Sequence, residues 1–247
     1  MVTLNAPLPR GTCPIETFGA LDNQSAPIVF FFMAAFGPRP ALFNIAERLS
    51  GEGYRVLMPH LFYEHLPFSP FAPEAVFKGG DERNRMVAMV GALDQGKIDV
   101  DIQSLLSFAD EQCGTNAPIG AVGYCLGGRH ALTVATANPR VVLAASFHGG
   151  HLADDNQNSP HTRFKGLRSR IYVGIASEDH SFGSQEEGRL AAALRDGGVD
   201  HILETFAGTH HGFVMGDLPS HNPAAAERHW ERLSGHMRET FTAGRVV

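Results

Sequence analysis

Pro118-Ile119-Gly120-Ala121-Val122-Gly123-Tyr124-Cys125-Leu126-Gly127-Gly128 is an apolar run that ends in a glycine-framed cysteine and passes into a helix-like segment. This is the pattern of a nucleophile elbow, in which a strand turns sharply into a helix and lifts one side chain above the sheet. Small residues must flank the nucleophile because the backbone there is strained and the helix packs close to the strand. Most such elbows carry serine, whereas Cys125 would make sulfur the attacking atom. Cys13 and Cys113 have no such frame and read as small buried hydrophobes.

Outward from the elbow, other short apolar runs rich in Val, Ile and Phe alternate with helical patterns. Strands are expected at Ile28–Met33, Arg55–Met58, Pro118–Gly123, Val141–Phe147, Arg170–Ala176 and His201–Phe206. Runs of this kind suit strands buried on both faces, and their alternation with helices predicts an α/β fold with a mainly parallel, doubly wound sheet. Ala41, Leu42, Ile45, Ala46 and Leu49 recur at helical spacing, with Gly51 and Gly53 beyond them. Asp99–Cys113, Gln185–Asp196 and Pro223–Thr240 are further expected helices. His60–Gly80 and His148–Gly166 are rich in loop-forming residues and read as long loops of the kind that often wall a binding site. No repeat or linker interrupts the chain, and residues 1–247 are expected to form one domain.

Bulk properties narrow the function classes. Hydrophobic residues at 43% and charged residues at 19% describe a globular chain. A formal charge of −6 and the lack of any Lys/Arg run argue against nucleic-acid binding. No apolar stretch is long enough to span a bilayer, and Met1–Arg10 lacks the pattern of a secretory signal. Three scattered cysteines do not make a disulfide framework, so a reducing, cytoplasmic setting is expected.

A nucleophilic thiol needs a base, and the base needs an orienting acid. In doubly wound hydrolases these follow the nucleophile in the order acid, then histidine, each after a later strand. Asp179 follows the Arg170–Ala176 run, with Glu178 as its neighbour and competitor. His211 follows His201–Phe206, with His210 as competitor and Gly212-Phe213 after it. The backbone N–H of Leu126 is one expected oxyanion donor. The loop Met33-Ala34-Ala35-Phe36-Gly37 supplies the other, with Ala35 N–H as candidate. The thirteen histidines raise a metal site as a rival. However, His148-Gly149-Gly150-His151 lacks the helical spacing of a zincin and has no completing carboxylate. A binding protein without catalysis on the same scaffold is a second rival.

At these residues the chain resembles the dienelactone hydrolase family, of the α/β-hydrolase fold. The matching marks are Gly123–Gly128, Asp179-His180, His211-Gly212-Phe213, Phe36-Gly37, Gly53-Tyr54 and Asp81-Glu82-Arg83-Asn84-Arg85. The resemblance implies a Cys125–His211–Asp179 triad that cleaves a lactone or carboxylic ester through a thioester. It implies neither metal nor organic cofactor; a small-molecule substrate is expected, and the sequence leaves a monomer or a small homo-oligomer open. It also implies that Arg85 pairs with a substrate carboxylate. In two places the chain departs from the family. Ala34 stands where such enzymes carry a glutamate that helps release the thiolate, so either His211 deprotonates Cys125 or the resting pair is already ionised. Met215 stands where they carry a second arginine, which halves the carboxylate clamp. Phe62, Phe68, Phe71 and Phe77 make a bulkier apolar ester the alternative expectation.

Overall fold

In a computed structural model, which describes residues 1–243, the chain builds one eight-stranded sheet flanked by helices. In chain order the elements are β1 (Val2–Leu8), β2 (Gly11–Phe18), β3 (Ile28–Phe32), α1 (Pro40–Gly51), β4 (Arg55–Pro59), α2 (Pro73–Lys78), α3 (Asp81–Gly91), α4 (Gln95–Cys113), β5 (Ile119–Tyr124), α5 (Leu126–Ala137), β6 (Val141–Phe147), β7 (Arg170–Glu178), α6 (Ser184–Asp196), β8 (His201–His210) and α7 (Pro223–Ala243). The strands lie in the order β1-β2-β4-β3-β5-β6-β7-β8. From β4 to β8 every pairing is parallel, while β1 and β2 form a hairpin added antiparallel to β4.

The six expected strands are all present. The N-terminal hairpin was not anticipated, because Pro7, Gly11 and Pro14 interrupt the alternation that marks a strand. It sits at the sheet edge, where a proline lacking N–H is tolerated. The stretch 60–80 is less irregular than its composition suggests, for it holds a 3₁₀ turn at Tyr63–His65 and the short α2. The expected loop at 148–166 holds only the 3₁₀ turn Pro160–Arg163.

The central strands are buried on both faces. Gly120 of β5 faces the ring of Phe241 on α7, and Gly123, three residues on, faces the backbone of α5. Successive strand residues point to opposite sides, so these contacts put α7 and α5 on opposite faces. Arg48 of α1 bonds Glu227 of α7 at 2.7 Å and lies over the Trp230 ring, which joins α1 to α7 on their face. The parallel register places the carboxyl ends of β3, β5, β6, β7 and β8 along one rim of the sheet. Ligands of open α/β sheets bind at such a rim. Among the described residues, no helix is long and apolar enough to cross a membrane.

Candidate active site

The elbow begins from close packing. A Cβ on Gly123 would lie 2.0 Å from the Gly127 carbonyl oxygen, and one on Gly127 would lie 2.3 Å from that of Phe32. A Cβ on Gly128 would meet Ser146 Oγ at 2.2 Å. All three sites are therefore closed to any side chain, and α5 can start directly against β3, β5 and β6. Between them Cys125 takes φ 53° and ψ −117°, a conformation that non-glycine residues avoid and that functional sites often hold. The surroundings hold it there: Cys125 N–H donates to Phe147 O at 3.1 Å, and Gly128 N–H donates to Cys125 O at 3.0 Å. Below the turn, Tyr124 Oη bonds His229 Nε2 of α7 at 2.9 Å and anchors the end of β5 through the core.

The ends of β7 and β8 supply the partners. His211 Nδ1 donates to both oxygens of Asp179, at 3.0 and 2.8 Å. The Asp179 side chain is only 1% exposed, and one of its oxygens also accepts Ser181 N–H at 2.8 Å. The sequence alternatives Glu178 and His210 lie opposite each other in the β7–β8 register and face each other in solvent, 3.6 Å apart. Ser177 ties the two strand ends together, since its Oγ accepts Thr209 N–H at 3.1 Å and donates to Thr209 O at 3.3 Å.

The other face of His211 meets Cys125. The sulfur takes hydrogen bonds from His211 and from the backbone N–H groups of Ala35 and Leu126. Burial alone would disfavour the thiolate, but the positive His211 and these three donors outweigh it and hold the thiol below its ordinary value. For His211, burial opposes the charged form, yet the Cys125 charge and the Asp179 hydrogen bond raise it to about 10. Both shifts favour the same state, a thiolate–imidazolium pair. Ala34 is buried and supplies no carboxylate.

Sequence reasoning placed His148 in a strand-end loop and weighed it only as part of a metal site. It sits at φ 39°, fully buried, with its ring edge-on to His211 at 5.1 Å and to Phe213 at 5.6 Å. Neither ring nitrogen has a hydrogen-bond partner. Burial first, then the neighbouring His211 charge, push its ring towards the neutral form. It therefore packs behind His211 as an uncharged plate. Its one sequence signal was its place directly after a strand at the rim.

A cavity of about 400 Å³ opens beside Cys125 and His211, and Ala35, Leu126, Gln95 and Arg129 are among the residues that line it. Arg85 is not brought there: it bonds Glu82 at 3.1 Å and lies over the Phe71 ring at 4.3 Å. Its own helix supplies this carboxylate at i−3, an exposed pair of the kind common on helix surfaces. Met215 is fully buried in the core. Phe62, Phe68 and Phe71 pack edge to face on one another and do not line the cavity either. Among the described residues, no three His, Cys, Asp or Glu side chains are grouped to hold a metal ion.

Known proteins resemble this chain in sequence and fold. The carboxymethylenebutenolidase of Pseudomonas putida is 29% identical over 158 residues, which cover 62% of this chain and 64% of that one. The solved structure of a dienelactone hydrolase-like promiscuous phosphotriesterase from metagenomic libraries superposes with a TM-score of 0.76 at 19% identity, over 97% of this chain and 98% of that one. Esterase 2 of Thermogutta terrifontis has the same fold at a TM-score of 0.70 and 12% identity, over 96% and 94%. The sequence pattern of the dienelactone hydrolase family matches residues 15–241, nearly the whole chain, and the protein belongs to that family of α/β hydrolases.

Proposed function

We propose that the protein hydrolyses a carboxylic ester or lactone through a thioester on Cys125. The observation that carries this reading is the line of groups from sulfur to His211 to Asp179, at the mouth of a cavity. The Cys125 thiolate attacks the carbonyl carbon, and the electron pair of the carbonyl bond moves onto its oxygen. The N–H groups of Leu126 and Ala35, which hold negative charge on sulfur at rest, receive it on that oxygen. The pair then returns, the C–O bond breaks, and His211 Nε2–H gives its proton to the departing oxygen. Neutral His211 next takes a proton from water as the water oxygen attacks the thioester. The C–S bond breaks, the acid leaves, and the thiolate–imidazolium pair is restored. Asp179 keeps His211 in the tautomer whose Nε2 faces the sulfur, and balances its charge. The chemistry needs a free thiol, and all three cysteines are unpaired. A reducing, cytoplasmic compartment suits it.

The test uses a p-nitrophenyl ester with mass analysis of the quenched protein. The wild-type chain is expected to release nitrophenolate and to carry one acyl group on Cys125. Cys125→Ala is expected to lose both, by at least about a thousandfold in rate, with an unchanged circular dichroism spectrum. Normal turnover by that variant would overturn the assignment.

A further inference from the structure

The cavity wall carries charged side chains that the acyl transfer itself does not use. Arg129 lies on α5, four residues after Cys125, and lines the same cavity. Its Nε donates to Gln95 Oε1 at 2.6 Å. Gln95 is 2% exposed and fully committed, because its Nε2 donates to Asp99 Oδ1 at 2.8 Å and to Thr133 Oγ1 at 3.0 Å. This chain of bonds fixes the guanidinium plane. Among the described residues no carboxylate forms an ion pair with it, and Asp154, Asp99 and Asp94 act on it only through space. Its two terminal nitrogens are left as donors to the cavity.

Asp94 and Asp154 line the same cavity. His151 lines it too, its Nδ1 3.8 Å from Asp154 Oδ2, and with this ring neutral and the thiolate and imidazolium cancelling, Asp94, Asp154 and Arg129 leave one net negative charge. The two positions from which the family resemblance would draw a carboxylate clamp contribute nothing, Arg85 being turned to Glu82 and Met215 buried. A carboxylate on a bound substrate would be desolvated and would face Asp94 and Asp154 as well as Arg129. In a half-enclosed cavity such charges still act on one another across its width.

We propose that this cavity selects uncharged esters whose acyl chain bears carbonyl or hydroxyl oxygens, and that Asp94 and Asp154 turn away acyl chains that end in a carboxylate. Arg129, positioned by Gln95, donates to the acceptor oxygen of the bound chain. This substrate class rests on the ester-hydrolysing reading above.

The test compares two p-nitrophenyl esters of adipic acid, one with the far carboxylate free and the other with it capped as the methyl ester. Release is corrected with Cys125→Ala. The capped ester is expected to show a kcat/KM about tenfold higher, with the gap narrowing as salt is added. In Asp94→Asn/Asp154→Asn the ratio is expected to fall towards one. Asparagine can still accept Lys97 N–H at the cap of α4, as Asp94 does at 2.9 Å, and Asn156 N–H, as Asp154 does at 3.0 Å. Equal or faster turnover of the free acid, or an unchanged ratio in the double variant, would overturn the proposal. Failure of both esters to acylate Cys125 would overturn the hydrolase reading itself.

Discussion

At Cys125 and His211 the decisive quantity is where the proton rests. Burial works against both charges, and each charge is sustained by the other and by fixed donors around it. The sign of the pH dependence follows. A thiol held below its ordinary value becomes thiolate at lower pH than a free cysteine, whose midpoint is about 8.5. Alkylation of Cys125 by iodoacetamide is therefore expected to have its midpoint at a lower pH than alkylation of a free cysteine. His211→Ala removes the nearby positive charge and one hydrogen bond while leaving the burial, so the midpoint is expected to move up. Rates measured from pH 5 to 10 by mass spectrometry check this, and a midpoint unaffected by the variant would refute the ion pair. At the alkaline side the imidazolium loses its proton near the raised value of about 10, and with it the acid for the leaving group. Esterase activity is expected to decline there.

Among the elements, the β5–α5 turn has the least room. The 2.0 Å gap between a Gly123 Cβ and the Gly127 carbonyl oxygen involves backbone on both sides, so no rotamer change can relieve it. Gly123→Ala must push α5 away from the sheet, at a cost of about 3 kcal/mol or more. Chemical denaturation is expected to show that loss, accompanied by a fall in kcat because Cys125 and Leu126 ride on the same helix start. Full activity in a stable Gly123→Ala chain would mean that the elbow is looser than these contacts require. The β7–β8 pair shows a second use of register. Ser177 bonds Thr209 across the two strand ends, and this fixes how the Asp179 and His211 loops face each other.

For the molecule as a whole, Arg55 is the polar group on which distant segments converge. It is 1% exposed, and it donates to Ala26 O at 3.0 and 2.6 Å, to Cys113 O at 2.7 Å and to Leu21 O at 3.2 Å. One side chain on β4 thus satisfies the carbonyls where β3 begins and α4 ends, at the edge of the sheet away from the active rim. Arg55→Met fills similar space but leaves those carbonyls without donors. Each orphaned buried acceptor costs about 1–3 kcal/mol, so a loss of about 3 kcal/mol or more is expected. Urea unfolding would measure it. Because this edge is remote from Cys125, kcat of the folded fraction is expected to be kept.

Local properties of the chain were enough for the six parallel strands and for the tight turn at Cys125. Short Val/Ile/Phe runs report strands buried on both faces, and Gly123, Gly127 and Gly128 around Cys125 report a turn that only small residues can make. Both are constraints within a few residues, so they are written in neighbouring letters. The N-terminal hairpin escaped because its strands are broken by Pro and Gly and gain their pairing from β4, far along the chain. The sequence favoured Asp179 over Glu178 and His211 over His210, but that Asp179 and His211 face each other belongs to the tertiary structure. Adjacent residues at a strand end point to opposite sides, and only the β7–β8 register decides which pair turns inward. Arg85 and Arg129 make the same point. A guanidinium on a long side chain goes where its nearest carboxylate and its packing take it, and for Arg85 that is Glu82 and Phe71. Arg129 reaches the cavity because the elbow starts α5 there and Gln95, from another helix, holds it in place.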